Sequence, residues 1–283
     1  MSLGTGIVIA ALLVMAVLAI VFGVGLAFAE TKFYVEVDAR VMKVLEALPG
    51  VNCGACGYPG CEGYAQAVVK GEKPNLCVPG GQSAALAAAH IMGQKLEEER
   101  LPVRAVVHCQ GGTEFCGQRF EYYGIEECGA AHMVQGGSKA CAYGCLGYGT
   151  CAKACPFGAI TMGEERIPRV DWETCTGCGT CVRTCPRNLI ETMPITTRIA
   201  LACSSQDRGK DVRAVCKTGC IACWLCVKKS PEGSVEKKGN LPKLLYPKGA
   251  DYQEAAEACP MGCFVQFTET GEAMRVVTAE ARA

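Results

Sequence analysis

The sequence contains 283 residues with 28 basic and 28 acidic side chains, and this balance excludes a globally basic nucleic-acid-binding protein. Its 22 cysteines make up roughly 8% of the chain, which is near the range of chains stapled by disulfides or metal. Aromatic residues contribute only 7%, which is thin for a large enzyme core. The main question is therefore what holds the cysteines.

The first predicted element is an apolar segment at the N-terminus. No charged side chain occurs between Met1 and Ala29, and residues 7–28 are apolar apart from two glycines. As a helix, such a run crosses a hydrocarbon layer of roughly 30 Å. A cleaved signal peptide is the alternative, but no Lys or Arg precedes the run and the run is too long for a signal core. Residues 1–29 are therefore predicted to be a transmembrane anchor in contact with membrane lipid.

The charges that flank the anchor predict its orientation. Lys32, Arg40 and Lys43 follow it, whereas no basic residue precedes it. The positive-inside rule then predicts a single-pass protein of the cell (inner) membrane with the bulk of the chain on the cytoplasmic side. Because cytoplasmic thiols are kept reduced, ligation of metal or of metal clusters is favoured over disulfide bonds.

After the anchor, two further helices and one strand are predicted before residue 140. Residues 38–48 carry an apolar stripe with Asp38 as a plausible N-cap, which indicates a short amphipathic helix. Residues 82–100 are rich in alanine and free of proline, so a second helix is predicted there. Residues 103–108 have the character of a short strand.

The most specific motif is Cys175-x2-Cys178-x2-Cys181-x3-Cys185-Pro186. This is the spacing of a bacterial-type [4Fe–4S] ferredoxin, in which three cysteines hold one cluster and the cysteine before proline crosses over to the partner cluster. Zinc sites normally use two separated Cys-x2-Cys knuckles or Cys/His pairs. The motif therefore favours a cubane cluster.

The Cys-Pro dipeptide exposes an internal repeat. Pro156 and Pro186 lie 30 residues apart, Pro231 and Pro260 lie 29 residues apart, and the two pairs are separated by about 75 residues. This pattern predicts two ferredoxin-like modules, each made of two half-repeats. We expect an α+β chain with five parts: a transmembrane anchor (1–29), a small Cys-rich [4Fe–4S] domain (30–100), a Cys-containing connector (101–140), a two-cluster bacterial-ferredoxin-like module (141–195) and a degenerate one-cluster module (196–283).

Crossed ligation predicts two clusters in the first module. Its first half has a looser spacing than its second, with three, five and three residues between successive cysteines. One cluster is predicted on Cys141, Cys145, Cys151 and Cys185. The other is predicted on Cys175, Cys178, Cys181 and Cys155.

The second module lacks cysteines in an informative pattern. Ser230 replaces the cysteine before Pro231, and the last half-repeat retains only the cysteine before Pro260. Every missing ligand belongs to one cluster, whereas a random scatter of losses would leave two half-sites. One cluster is therefore predicted in this module, on Cys220, Cys223, Cys226 and Cys259.

A further cysteine group lies near the anchor: three of its cysteines fall in the segment NCGACGYPGCEGYA, and the fourth follows the third after fifteen residues. Its glycines at 54, 57 and 60 allow the backbone to approach an inorganic core and to donate N–H groups to sulfur. A fourth [4Fe–4S] cluster is predicted here, although four cysteines in two loops are also typical of zinc. The predicted ligands are Cys53, Cys56, Cys61 and Cys77.

Six cysteines stay outside these four sites, namely Cys109, Cys116, Cys128, Cys203, Cys216 and Cys263. They are either unligated buried thiols or the source of a fifth [4Fe–4S] cluster. The preferred set for a fifth cluster is Cys109, Cys128, Cys203 and Cys216, because each borders a module. No catalytic constellation of side chains stands out.

The segment between residues 205 and 250 is locally basic, with ten basic and four acidic residues. One interpretation is an ordinary solvated surface. The other is a docking patch for an acidic electron donor or for anionic lipid, because complementary charge steers weak redox partners together.

The order of these motifs resembles the B-subunit family of the Rnf complex, the ion-translocating ferredoxin:NAD oxidoreductase, which some bacteria name Rsx. The resemblance rests on the anchor followed by GVNCGACGYPGCEGYA, YGCLGYGTCAKACPFGAI and CTGCGTCVRTCP, and it extends from Ile7 to about Cys226. Ser230 and the missing upstream cysteines depart from the family pattern and put one expected C-terminal cluster in doubt.

The resemblance implies a non-catalytic electron-relay subunit of a redox-driven ion translocase. Such a subunit takes electrons from soluble reduced ferredoxin and passes them to membrane redox subunits and an NAD-reducing flavoprotein, coupled to Na⁺ or H⁺ translocation. The cluster nearest the anchor is expected to deliver electrons to the membrane. The alternatives are a membrane-anchored polyferredoxin serving a hydrogenase or formate dehydrogenase, and a redox or iron sensor.

Overall fold

A computed structural model describes residues 3–33, 38–96, 101–247 and 249–276. The first element is helix α1 (Leu3–Lys32), whose large apolar side chains from Ile7 to Phe28 are exposed. Among the described residues it is the one helix long and apolar enough to cross a membrane, over Gly6–Lys32. The expected apolar N-terminal helix is therefore present.

Three helices form the N-terminal Cys-rich domain: α2 (Ala39–Ala47), α3 (Cys61–Val69) and α4 (Gly81–Met92). Asp38 caps α2 as expected, because its carboxylate accepts the Arg40 N–H at 2.8 Å. Helix α4 ends earlier than the predicted residue 100, since Gly93 adopts a left-handed conformation that stops the helix. The last predicted residues, 97–100, lie outside the described residues.

The middle of the chain alternates short helices with short strands. Strands β2 (Ile160–Met162) and β3 (Pro168–Val170) form a two-stranded hairpin. Strand β4 (Ile190–Pro194) pairs antiparallel with β1 (Val103–Val107), from Val107↔Ile190 to Val103↔Pro194. Strand β1 lies within the predicted segment 103–108. The elements are β1 (Val103–Val107), α5 (Cys128–Met133), α6 (Thr150–Lys153), β2 (Ile160–Met162), β3 (Pro168–Val170), α7 (Thr180–Thr184) and β4 (Ile190–Pro194).

The C-terminal part repeats this order of helix, hairpin, helix and strand. Its hairpin is formed by β6 (Val235–Lys238) and β7 (Leu241–Leu244). Its strand β8 (Phe264–Phe267) lies between β5 (Ile199–Leu201) and β9 (Ala273–Arg275) in a three-stranded antiparallel sheet. The elements are β5 (Ile199–Leu201), α8 (Gly209–Val215), α9 (Leu225–Lys229), β6 (Val235–Lys238), β7 (Leu241–Leu244), α10 (Gln253–Glu257), β8 (Phe264–Phe267) and β9 (Ala273–Arg275).

One apolar core joins the middle and C-terminal parts. The buried ring of Trp172 stacks on Phe267 with ring centroids 4.6 Å apart, and Val265 and Met193 belong to the same cluster of buried residues. The backbone N–H of Trp172 also donates to the Thr270 carbonyl at 3.0 Å. The middle and C-terminal parts therefore pack against each other as one body of mixed helices and strands.

Candidate iron–sulfur sites

All 22 cysteines are described and all are free thiols. Cys223 is exposed, and the others are buried or partly buried. Within the described ranges, no three His, Cys, Asp or Glu side chains gather closely enough to hold a single metal ion. The sulfurs instead surround several separate cavities, each lined by four or five cysteines.

Site 1 lies at the junction of the three N-terminal helices. Burial raises the pKa of the Cys77 thiol, and the three neighbouring cysteines raise it further by charge repulsion. Thiolates crowded in this way repel one another unless bound cations balance their charge. The structure brings together the four cysteines of the predicted set: Cys53, Cys56, Cys61 and Cys77.

Two residues that the sequence analysis did not single out shape site 1. The Asn52 side-chain oxygen accepts the Cys61 N–H at 2.8 Å, which fixes the start of α3. Gly80 lies so close to Cys77 that an added Cβ would be 3.1 Å from the sulfur and 2.5 Å from the Ala84 Cβ. Its backbone N–H bonds to the Cys77 sulfur and lowers the thiol pKa against the effect of burial.

Site 3 lies between the two half-repeats of the first module. Burial raises the pKa of Cys181 to about 12, and the neighbouring cysteines add charge repulsion. Gly177 adopts a left-handed conformation, and a Cβ there would lie 2.4 Å from the Val103 carbonyl oxygen, so a side chain would push the cysteine loop off β1. The cavity brings together the predicted set of Cys155, Cys175, Cys178 and Cys181.

Site 2 differs from the prediction in one residue. Cys145, Cys151 and Cys185 line one cavity, but the fourth cysteine in it is Cys128 rather than Cys141. The Cys128 N–H donates to the Thr150 hydroxyl at 2.8 Å, which holds the start of α5 beside Cys151. Burial raises the pKa of Cys151 to about 11, and Cys128 adds to this effect.

Backbone pairing carries Cys141 away from site 2. The segment before it runs antiparallel to residues 116–119, with Ala140 N–H donating to the Gly117 carbonyl at 2.8 Å and Arg119 N–H donating to Ser138 at 2.7 Å. This pairing places Cys141 beside Cys116 instead. The cysteines that line this cavity therefore differ from the predicted set of Cys141, Cys145, Cys151 and Cys185 in one residue, since Cys128 stands in the place of Cys141.

Site 4 lies in the C-terminal part. Its cavity is lined by the four predicted cysteines and by the fully buried Cys263. The Cys263 N–H donates to the Cys259 sulfur at 3.4 Å, as the Leu189 N–H does to the Cys185 sulfur at 3.4 Å in the first module. The predicted set that it brings together is Cys220, Cys223, Cys226 and Cys259.

Tyr252 stands in the C-terminal part at a position that corresponds by the repeat spacing to a cysteine of site 3. The repeat spacing of about 74 residues aligns Tyr252 with Cys178 and Ala255 with Cys181. Tyr252 is 1% exposed and packs edge-on against Tyr246, and its hydroxyl donates to the Ser234 carbonyl at 3.2 Å. By this spacing, a buried tyrosine and a buried alanine take the sequence positions of two cysteines of site 3.

The other cysteines do not form the preferred fifth set. Cys109, Cys203 and Cys216 do line one cavity, but Cys128 lies in site 2. The additional cysteines of that cavity are Cys116 and Cys141. His108, adjacent to Cys109, has Nδ1 2.7 Å from the Leu201 carbonyl oxygen and Nε2 3.5 Å from Glu191.

Two family models match the chain. The first, described as "Putative Fe-S cluster", covers residues 48–79, which include all of site 1. The second, described as "4Fe-4S dicluster domain", covers residues 140–189. Both descriptions favour iron–sulfur clusters over the zinc alternative in these two segments.

Curated proteins are similar over nearly the whole chain. The B subunit of the Na⁺-translocating ferredoxin:NAD⁺ oxidoreductase complex of Acetobacterium woodii is 40% identical over 260 residues, covering 92% of this chain and 78% of that protein. The B subunit of the proton-translocating complex of Clostridium ljungdahlii is 41% identical over 259 residues, covering 90% and 91%. The B subunit of the ion-translocating oxidoreductase complex of Methanosarcina acetivorans is 37% identical over 257 residues, covering 90% and 97%. None of these names is that of a hydrogenase or formate dehydrogenase component.

Replacing Gly80 with alanine is expected to remove the cluster from site 1. The added Cβ would overlap the Ala84 side chain and displace Cys77. Iron quantification should then show a loss of about four irons per chain, the content of one [4Fe–4S] cluster. Gly63→Ala is the matched control, because its Cβ would meet nothing closer than Pro59 Cδ at 3.4 Å. Equal iron contents in the two variants would contradict the role of Gly80.

Proposed function

The chain belongs to the B-subunit family of the Rnf complex, the ion-translocating ferredoxin:NAD oxidoreductase, and we propose that it is the membrane-anchored iron–sulfur relay of such a complex. It takes electrons from reduced ferredoxin and passes them to membrane redox subunits and an NAD-reducing flavoprotein, with Na⁺ or H⁺ translocation coupled to the flow. It performs no bond chemistry itself, so its role is that of a non-catalytic subunit of a translocase.

The observation that carries this proposal is the contiguity of the cysteine sites. Site 3 adjoins site 2, because Cys151 of site 2 and Cys181 of site 3 belong to the same cluster of buried residues. Site 3 also contacts site 1, because Arg183 donates to the Cys53 carbonyl at 3.0 Å. A row of redox centres between solvent and the anchor is what electron delivery to a membrane requires.

The residues of sites 1 to 4 fit [4Fe–4S] clusters. Each site gathers four cysteine sulfurs, and in sites 2, 3 and 4 the fourth ligand crosses over from the other half-repeat, as in two-cluster ferredoxins. When bound, the clusters supply one-electron redox chemistry. The protein holds the sulfurs, shields them from water and donates N–H groups that tune the potentials.

Site 4 is the proposed point of electron uptake. Cys223 is exposed, so a cluster there can approach a soluble donor closely. Lys228 and Lys229 end the helix that carries Cys226, and the Lys237 ammonium lies 5.3 Å from the centroid of the Trp224 ring beside Cys223. Of the ten basic residues between 205 and 250, nine are described, and all nine are exposed. This surface suits an acidic donor such as ferredoxin.

Site 1 is the proposed point of delivery to the membrane. It is the cysteine site closest in sequence to α1, which a short segment connects to α2. The positive residues after α1 favour a single-pass protein with its cysteine sites on the cytoplasmic side of the membrane. Reduced ferredoxin is a cytoplasmic donor, so this orientation and the proposed donor agree.

Charge reversal on the basic surface is expected to slow electron uptake. A Lys228→Glu/Lys229→Glu variant should lower the rate of cluster reduction by reduced ferredoxin several-fold at low salt, and raising the ionic strength should remove most of the difference. Stopped-flow absorbance measures both rates. Lys70→Glu, an exposed site in the N-terminal domain, is the control. If the rate of cluster reduction in the unmodified protein does not change with salt concentration, this surface takes no part in the mechanism.

Replacing Cys56 with alanine is expected to separate uptake from delivery. Site 1 then loses a ligand, while sites 2 to 4 keep theirs. Ferredoxin should still reduce the remaining clusters, as EPR spectra of the reduced protein would show, but electron delivery to the membrane subunits should stop in the assembled complex. Continued delivery would mean that site 1 is not the terminal centre.

Replacing Arg183 with alanine is expected to loosen the junction between sites 1 and 3. The side chain bonds to the Cys53 carbonyl and lies 3.4 Å from the Thr180 hydroxyl, which in turn lies 3.5 Å from the Cys178 sulfur. Iron content should be unchanged, whereas reduction of site 1 should slow relative to reduction of site 3. Arg169→Ala, which breaks only a surface pair with Glu165, is the control. Equal rates in both variants would contradict a positioning role.

A further inference from the structure

The cavity between the connector and α8 is lined by cysteines from three distant parts of the chain. We propose that it is a fifth [4Fe–4S] site, site 5, with a ligand set that differs from the one predicted from sequence. The four proposed ligands are between 3% and 9% exposed: Cys109, Cys116, Cys141 and Cys216.

Backbone contacts bring these ligands together. Cys116 and Cys216 form an isolated antiparallel bridge, and the Cys216 N–H ends α8 by donating to the Val212 carbonyl at 2.9 Å. The pairing of residues 116–119 with 138–140 adds Cys141. Cys109 lies near Cys216 across Gly111. A Cβ on Gly111 would lie 3.1 Å from the Cys216 sulfur and 3.9 Å from the Cys109 sulfur. Glycine at 111 thus leaves the space between sulfurs open.

Hydrogen-bond donors point at the sulfurs of site 5. The Cys145 N–H lies 3.4 Å from the Cys109 sulfur, and the Thr218 hydroxyl lies 3.6 Å from the Cys216 sulfur. Burial raises the pKa of Cys141, whereas backbone N–H groups of Tyr143 and Gly144 oppose this effect. Donors of this kind stabilise thiolates and tune cluster potentials.

A cation that lines the cavity, Lys139, provides the second line of evidence, and a second cation, Arg187, lines the adjoining cavity of site 2 and bonds to the backbone of Cys141. Lys139 is 9% exposed, and its ammonium donates to the Cys145 carbonyl at 2.8 Å. Arg187 donates to the Cys141 carbonyl at 3.0 Å and to two glycine carbonyls, while its Nε is buried without a hydrogen-bond partner. Among the described residues, neither cation forms an ion pair with a carboxylate. A buried cation such as Lys139 is costly without a nearby negative charge, and a cluster held by four thiolates supplies one.

Cys203 also lines the cavity but lies on its edge toward site 4. Its sulfur accepts the Cys220 N–H at 3.2 Å, and Cys220 is a proposed site 4 ligand. On the other side, the Cys145 N–H bond to the Cys109 sulfur links the cavity to site 2. Site 5 is therefore placed between sites 4 and 2. Its role as the relay between them rests on the proposed function, whereas its occupancy does not.

The test is an iron and sulfide count on the full chain, purified anaerobically in detergent. Five clusters require about 20 irons and four require about 16, counting four per cluster. Cys116→Ala should lower the count by about four irons, whereas Cys203→Ala, which removes another thiol of the same cavity, should leave it unchanged. Mössbauer or EPR spectra of the reduced proteins should lose one cluster signal in the first variant alone.

Several outcomes would overturn the proposal. A count of about 16 irons in the unmodified chain would do so without any variant, and so would zinc in the cavity or a Cys116–Cys216 disulfide found by mass spectrometry. Lys139→Gln keeps all four ligands, so its result does not depend on whether the cysteine variants fold. It should retain the iron and shift one cluster to a more negative potential, and an unchanged set of potentials would count against site 5. A full iron count in a chain that ferredoxin fails to reduce would instead contradict the proposed function.

Discussion

The fold depends on one constraint, which is that four mutually repelling sulfurs must surround each cluster. No short segment of the chain supplies four cysteines in that arrangement, so most sites draw a ligand from a distant segment. Cys155 joins the loop of Cys175, and Cys259 joins the loop of Cys220. Each proposed cluster therefore acts as a cross-link between half-repeats whose apolar cores are small, and binding of the clusters contributes directly to folding.

The sequence alone predicts which cysteines come together where these cysteines lie in regular runs. The loops that begin at Cys53, Cys175 and Cys220 have fixed spacings, and the structure brings the cysteines of each loop together. The sequence alone does not predict the position of Cys141. This position depends on the antiparallel pairing of residues 116–119 with 138–140, and these irregular segments carry no periodic sequence signal. The same holds for Gly80, whose importance comes from the nearness of Ala84 rather than from an unusual backbone conformation.

Loss of a cluster need not leave a cavity behind. At the position equivalent to Cys178, Tyr252 fills the space with a ring and satisfies its hydroxyl through Ser234 and the Tyr246 N–H. Ala255, at the position equivalent to Cys181, is fully buried against the same core. The packing and hydrogen bonds of Tyr252 and Ala255, rather than a shared metal cluster, thus connect the β6–β7 hairpin to α10. This substitution explains how the C-terminal part keeps the helix and strand order of a ferredoxin while holding one proposed cluster.

The same substitution constrains the electron path. In a two-cluster ferredoxin each cluster has its partner as the nearest redox centre, but site 4 has Tyr252 and its apolar surroundings in that direction. In the proposed relay, an electron that enters at Cys223 leaves the C-terminal part on the side of Cys203, whose sulfur accepts the Cys220 N–H. Among the described residues, the sulfur-lined cavity on that side is the one that contains Cys109, Cys116, Cys141 and Cys216. Under the proposed function, with uptake at site 4, a centre in this cavity would connect site 4 to site 2.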